Sequence, residues 1–103
     1  MDRLIPRRLV KHEYDENGKV ILLKPKFRLP LLQKYLLPRL KRPYFRIYLD
    51  EIGSQVWNHI DGQRNALEIA HSLQKELGNK IEPVYERFGL FLRQLKTGGF
   101  ISY

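Results

Sequence analysis

Apolar residues follow two regimes along the chain. Up to about residue 49 they come in short β-like runs, and beyond it they recur at helical spacing. Leu9–Tyr14 (LVKHEY) and Lys19–Lys24 (KVILLK) are apolar, β-branched and aromatic enough to predict two strands. Between them stands Asp15-Glu16-Asn17-Gly18, where Asn-Gly supplies the positive φ angles of a tight turn, so the pair reads as a β-hairpin. Val20, Ile21, Leu22 and Leu23 are apolar in succession, which predicts burial on both faces or cover from the next segment. Tyr44–Leu49 (YFRIYL) predicts a third strand. Alternation puts Phe45, Ile47 and Leu49 on one face, expected to meet the core, and Tyr44, Arg46 and Tyr48 on the other, an amphipathic surface.

Three helical stripes follow. Asp50 is placed to cap the first helix, with Glu51 in its first turn and Ile52, Val56, Trp57 and Ile60 as its apolar side. Gly53 and Ser54 are poor helix formers there and predict the close approach of another backbone. Asp61-Gly62 ends the helix, with Gly62 in the left-handed conformation. The second helix spans Asn65–Leu77, with Asn65 and Glu68 close to a capping box and Gly78-Asn79 at its end. The third runs from about Glu82 to Lys96, with Pro83 in its first turn and Val84, Phe88, Phe91, Leu92 and Leu95 as its stripe. Gly98-Gly99 breaks it before a short closing strand over Phe100–Tyr103. Prolines at 25, 30, 38 and 43 exclude a long helix over residues 25–43. A short helix from Pro30 to Leu37 fits there, within either a packed connection or an exposed basic, apolar arm. The order is β-β-β-α-α-α: one α+β domain over residues 1–103, with an N-terminal three-stranded antiparallel sheet followed by a three-helix bundle.

Composition narrows the chemistry. Without cysteine the chain has no disulfide, thiolate metal site or cysteine nucleophile, which favours a reducing cytoplasm. MDRLIPRRLV at the start lacks the apolar core of a secretion signal. No run reaches the ~20 apolar residues that span a bilayer. The net charge of +8 is uneven: residues 1–49 hold 13 Lys/Arg and 4 Asp/Glu, residues 50–103 hold 6 and 7. A basic half beside a near-neutral half suits an anionic partner: an acidic peptide or protein, nucleic acid or lipid headgroups.

No catalytic constellation stands out. His12, His59 and His71 lack helical metal-site spacing, and Glu68–His71 is only a single pair. Asp50/Glu51 and Glu82/Glu86 sit in helix first turns, where the dipole accounts for them. Ser54 and Ser72 have no nucleophile setting, and the glycines form no phosphate-binding pattern. The sequence therefore predicts a non-enzyme with no cofactor and no metal. A last helix after two shorter ones invites a winged-helix, DNA-binding alternative, but Glu82 and Glu86 offset Arg87, Arg93 and Lys96 on that helix. An anionic-surface binder using residues 1–46 is the related alternative, and Phe27, Leu31, Leu32, Tyr35 and Leu36 give a proline-interrupted membrane-docking set. Strand addition fits better. At a sheet edge, Tyr44–Leu49 offers its backbone to an extended peptide, and the third helix forms one wall. Tyr44, Arg46, Tyr48, Tyr85, Leu92, Arg93 and Lys96 are the candidate peptide-binding residues, and aromatics beside cations suit a peptide alternating apolar and acidic residues.

Several pieces then line up in order. They are Leu49-Asp50-Glu51-Ile52-Gly53-Ser54 with Val56-Trp57, Ile60-Asp61-Gly62-Gln63-Arg64, Glu68-Ile69-Ala70, and Phe91-Leu92-Arg93-Gln94-Leu95 before Gly99-Phe100-Ile101. Together Leu49–Tyr103 resembles the PqqD-like family, also called recognition elements of ribosomally made, modified peptides. The resemblance implies a winged-helix-like fold and a peptide chaperone role. It implies that a precursor's leader adds beside the third strand and packs on the third helix. It also implies presentation to a modifying enzyme, in the type member a radical SAM enzyme of pyrroloquinoline quinone synthesis. Gly53-Ser54 stands where many members have Thr-Ala or Ala-Ala, Asn65 where Thr or Ser is usual, and residues 25–43 form a longer connection than the usual one.

Overall fold

The computed structural model describes residues 3–25 and 44–103. The short helix expected from Pro30 to Leu37 and the apolar set from Phe27 to Leu36 lie outside the described residues. Five strands and three α-helices make up the rest: β1 (Arg7–Arg8), β2 (Lys11–Tyr14), β3 (Val20–Pro25), β4 (Tyr44–Tyr48), α1 (Glu51–His59), α2 (Ala66–Leu77), a 3₁₀ turn at Gly78–Ile81, α3 (Val84–Thr97) and β5 (Ile101–Ser102). The class is α+β, with an antiparallel sheet of order β2-β3-β4 ahead of three helices, as the periodicity predicts.

The β2–β3 turn is built on one carboxylate. Asp15 Oδ1 accepts from the N–H groups of Asn17 (2.9 Å) and Lys19 (2.8 Å), and Gly18 adopts φ +80°. Only Gly18, and not Asn17, takes the left-handed conformation, so the loop is longer than the two-residue turn expected from Asn-Gly. β3 lies at the centre of the sheet. Val20 and Leu22 are fully buried toward the helices, and Ile21 on the opposite face is 4% exposed. The apolar run therefore is buried on both faces.

The passage from β4 into α1 is fixed by small residues. Leu49 N–H donates to Val20 O at 3.0 Å, the last rung of the β3–β4 ladder. The chain then leaves the sheet, and the Val20 N–H donates instead to Ser54 Oγ at 2.8 Å, a bond buried on both sides. Asp50 caps α1 by accepting from Gly53 N–H at 2.7 Å. A Cβ added at Gly53 would lie 3.3 Å from the Phe91 ring. The backbone approach expected at Gly53-Ser54 is met at Ser54, by β3, whereas Gly53 makes room for a side chain, the Phe91 ring of α3.

Trp57 and Phe88 are the largest fully buried side chains, packed with Ile60, Ile69, Leu73, Ile81, Leu92 and Ile101 in one core. Asn65 and Glu68 form the full capping box at the start of α2. Between α1 and α2, Asp61 accepts from the backbone N–H groups of Gln63 (2.9 Å) and Arg64 (3.1 Å), while Gly62 takes φ +74°. These backbone bonds, Arg64 first, hold the Asp61 carboxyl down at about 2. Arg64 also donates to His59 O at 3.0 Å, so the Asp-Gly-x-Arg segment ties the two helices together.

Three expectations change. Pro83 is the N-cap residue of α3, so Glu82 lies before the helix and accepts from Gln74 Nε2 at 3.3 Å. The closing strand is only Ile101–Ser102, and its partner β1 was not foreseen: Arg7 pairs with Ser102 and Arg8 with Ile101. Phe45 and Ile47, expected to face the core, are 54% and 38% exposed. Both do point to the helix side, as Ile47 stands opposite the buried Leu22. The core there is filled by Leu22, and β4 lies at the margin.

Candidate functional site: the β4 edge and the α1–α3 groove

β4 pairs on one side with β3, in the register Ile21↔Tyr48 through Pro25↔Tyr44. The Leu49–Val20 bond sets the phase of the ladder. In an antiparallel pair alternate residues bond to the same neighbour, so Ile47 and Phe45 join Leu49 in bonding to β3. The N–H and C=O groups of Arg46 and Tyr48 face the other way. Among the described residues, β4 is an edge strand and none bonds to these outward groups. Tyr48 is 67% exposed, and Arg46 donates to Glu13 Oε1 at 3.0 Å across β3. Tyr48's phenol oxygen first, and then the Glu13 carboxylate, raise the Arg46 pKa, and the guanidinium is held over this face by its pair with Glu13.

Beside the end of β4 a groove of about 320 Å³ runs between α1 and α3. Ile52, Gly53 and Val56 line it from α1, and Phe88, Leu90 and Phe91 from α3. Asp50, Arg87 and Gln94 stand at its polar rim. Leu90 is 54% exposed, an apolar side chain turned out of the core at the mouth of an apolar hollow. Absence of a side chain at Gly53 is what gives the groove its depth against Phe91.

The sequence-predicted site residues divide. Tyr44, Arg46 and Tyr48 lie together on β4. On α3, successive residues step by ~100°, so Arg87, Leu90 and Gln94 share the groove side while Tyr85 and Lys96 fall on the opposite side. Tyr85 accordingly meets α2, its hydroxyl 3.1 Å from His71 Nε2. Lys96 Nζ sits 4.2 Å from the centre of the Tyr103 ring. Leu92 is 2% exposed and belongs to the core, while Arg93 is exposed between the two sides. Arg87, Leu90, Phe91 and Gln94, which line the groove, lie outside the sequence-predicted set. The signal for them was Leu90, an apolar residue that falls off the stripe of Val84, Phe88 and Leu95.

The titratable groups away from the edge have structural partners. His59 Nδ1 faces Arg64 Nη2 at 3.1 Å, and its Nε2 lies 2.9 Å from Glu76 Oε2. A guanidinium only donates, so Nδ1 accepts and the ring proton sits on Nε2, bonded to Glu76. His12 packs edge-on to Trp57 with centroids 6.0 Å apart, and burial first, then Arg8, lowers its pKa. Glu51 Oε1 lies 3.7 Å from Lys80 Nζ. Among the described residues no group of three or more His, Asp or Glu is placed to hold a metal ion, and no helix is long and apolar enough to cross a membrane.

The family model described as Coenzyme PQQ synthesis protein D (PqqD) matches residues 46–101, more than half of the chain. The chain belongs to the PqqD family. Neither curated proteins nor solved structures give a match. The PqqD match opens at Arg46 within β4 and closes at Ile101 in β5, so the outward groups of Arg46 and Tyr48 and the whole α1–α3 groove fall inside it. The β2–β3 hairpin and β1 precede the matched residues.

Proposed function

We propose that this PqqD-family domain is a non-catalytic peptide chaperone. It binds the leader of a ribosomally made precursor peptide as an added strand along β4 and presents it to a modifying enzyme, a radical SAM enzyme being the partner that the family suggests. The cytoplasm is the compartment in which such a precursor is made and modified. One observation carries the reading: β4 is an edge strand whose Arg46 and Tyr48 backbone groups face outward, and an apolar groove that begins at Asp50, two residues past Tyr48, falls with it inside the residues that match the family.

Strand addition gives each face of the peptide a different neighbour. Peptide residues on the helix side meet Phe45, Ile47 and the groove around Leu90 and Phe91, which favours apolar side chains. Residues on the opposite face meet Arg46 and Tyr48, which favours acidic ones. Tyr44, Arg46 and Tyr48 stay in this proposal, joined by Arg87, Leu90, Phe91 and Gln94. Tyr85 and Lys96 border the far side of α3, and Leu92 acts through packing. An NMR titration with the leader of a precursor encoded beside this chain tests the reading. The amide signals of residues 44–49 and the groove side of α3 move, and those around Tyr85 and Lys96 stay. A saturating leader that leaves residues 44–49 unmoved overturns it.

A second reading rests on the excess of cations in residues 1–49. As a nucleic-acid or anionic-surface binder, the chain would bind duplex DNA or anionic vesicles with an affinity that falls steeply with salt. Binding that is absent or insensitive to salt removes this alternative.

A further inference from the structure

The sheet has a second edge. Asp15 N–H donates to Lys19 O at 2.9 Å, which sets the phase of the β2–β3 ladder. Glu13 and Lys11 therefore bond to β3 as Asp15 does, and the N–H and C=O groups of His12 and Tyr14 face outward. Among the described residues none bonds to them. Proteins commonly guard such an edge with charge. Here the guarding charges are self-complementary rather than alike: Lys11 and Glu13 stand on one face, separated by His12.

We propose that two copies of this chain associate edge to edge through β2, antiparallel and centred on His12. The phase allows a centre on either outward-bonding residue of β2, His12 or Tyr14; centring on Tyr14 would set Glu13 against the second copy's Asp15, whereas at His12 the two copies exchange backbone bonds without opposing carboxylates. Lys11 then stands opposite the second copy's Glu13, twice by symmetry, in the non-hydrogen-bonded positions where side chains come closest. Centring on Glu13 would oppose two carboxylates and put inward-bonding residues at the axis. Glu13 uses Oε1 for Arg46 at 3.0 Å and keeps Oε2 for the incoming lysine. Lys11 is exposed and has no ion pair among the described residues. On the helix side the His12 ring is held against Trp57, and Tyr14, 55% exposed, donates its hydroxyl to Asn58 Oδ1 at 3.0 Å.

The result is one six-stranded sheet with a β4 edge at each end. Both proposed peptide edges stay open in it, and the association stands whether or not a peptide binds there. Four-residue strands bury little, so the dimer belongs to the weak, transient class.

Sedimentation velocity tests it on the full chain and on two charge variants. The wild type shifts toward dimer between about 10 µM and about 1 mM, the range in which a transient interface is populated. Lys11→Glu and Glu13→Lys each turn two attractive pairs repulsive and weaken self-association by roughly tenfold or more. Mixing the two variants restores complementarity, because each glutamate then faces a lysine, and association returns to near the wild-type level. A wild type monomeric throughout overturns the proposal. So do variants that associate as the wild type does, or a mixture that stays monomeric.

Discussion

Replacing Ser54 by alanine tests the junction that sets β4 beside α1. The hydroxyl oxygen accepts the Val20 N–H at 2.8 Å, where Val20 is fully buried and Ser54 is 4% exposed. Alanine leaves that N–H in the core without an acceptor and without room for water. An unsatisfied buried donor costs roughly 1–3 kcal/mol. Alanine's better helix propensity returns up to ~0.5 kcal/mol. The net loss is about 1–2 kcal/mol, which for a chain of this size lowers Tm by roughly 5–12 °C. Urea unfolding followed by Trp57 fluorescence measures it, since Trp57 is fully buried and reports on opening of the core. The midpoint should fall with the slope unchanged, because the surface exposed on unfolding is the same. A loss below about 0.5 kcal/mol would mean that the Ser54–Val20 bond contributes little beyond ordinary packing and would refute the account of this junction.

Three other outcomes follow from the same geometry. Gly53→Val drives methyl groups into the Phe91 ring, already 3.3 Å from where a first carbon would sit, and should destabilise the fold by roughly 1–3 kcal/mol in the same urea assay. Asp61 has a lowered folded pKa of about 2 against an ordinary 3.8, so its contribution is present above pH 4 and lost as pH falls toward 2. Because its side chain is 40% exposed, the contribution is about 1 kcal/mol after screening, and Asp61→Asn should flatten the pH dependence of unfolding in that window alone. Arg46→Glu should change stability little, since its ion pair with Glu13 is about half exposed at both ends. It should weaken binding of an acidic leader by roughly tenfold, read by fluorescence anisotropy of the labelled peptide.

Local signals made the helices legible. Asp50 and the Asn65–Glu68 box act within a few residues, so their chemistry is written in adjacent letters. The β2–β3 hairpin was legible for the same reason. The β1–β5 pair was not: two-residue strands have no periodicity, and their residues meet across more than ninety positions. Alternation assigned Phe45 and Ile47 to the right face of β4. It could not tell whether anything packs on that face, because this depends on how far α3 reaches. The site was half legible on the same logic. The β4 residues followed from strand order, but which side of α3 looks onto the groove depends on how α3 is rotated about its axis. That rotation is set where Phe91 settles against Gly53, a contact 38 residues apart in sequence.

The central claim is that the outer edge of β4 receives an extended peptide. Amide hydrogen exchange, read residue by residue along β4 with and without a saturating leader peptide, tests it most directly. In the free protein Ile47 and Leu49 should exchange slowly, bonded to β3, while Arg46 and Tyr48 exchange fast. With peptide bound, Arg46 and Tyr48 should become protected and the alternation should vanish. Fast exchange at Arg46 and Tyr48 in the saturated complex would contradict strand addition at this edge.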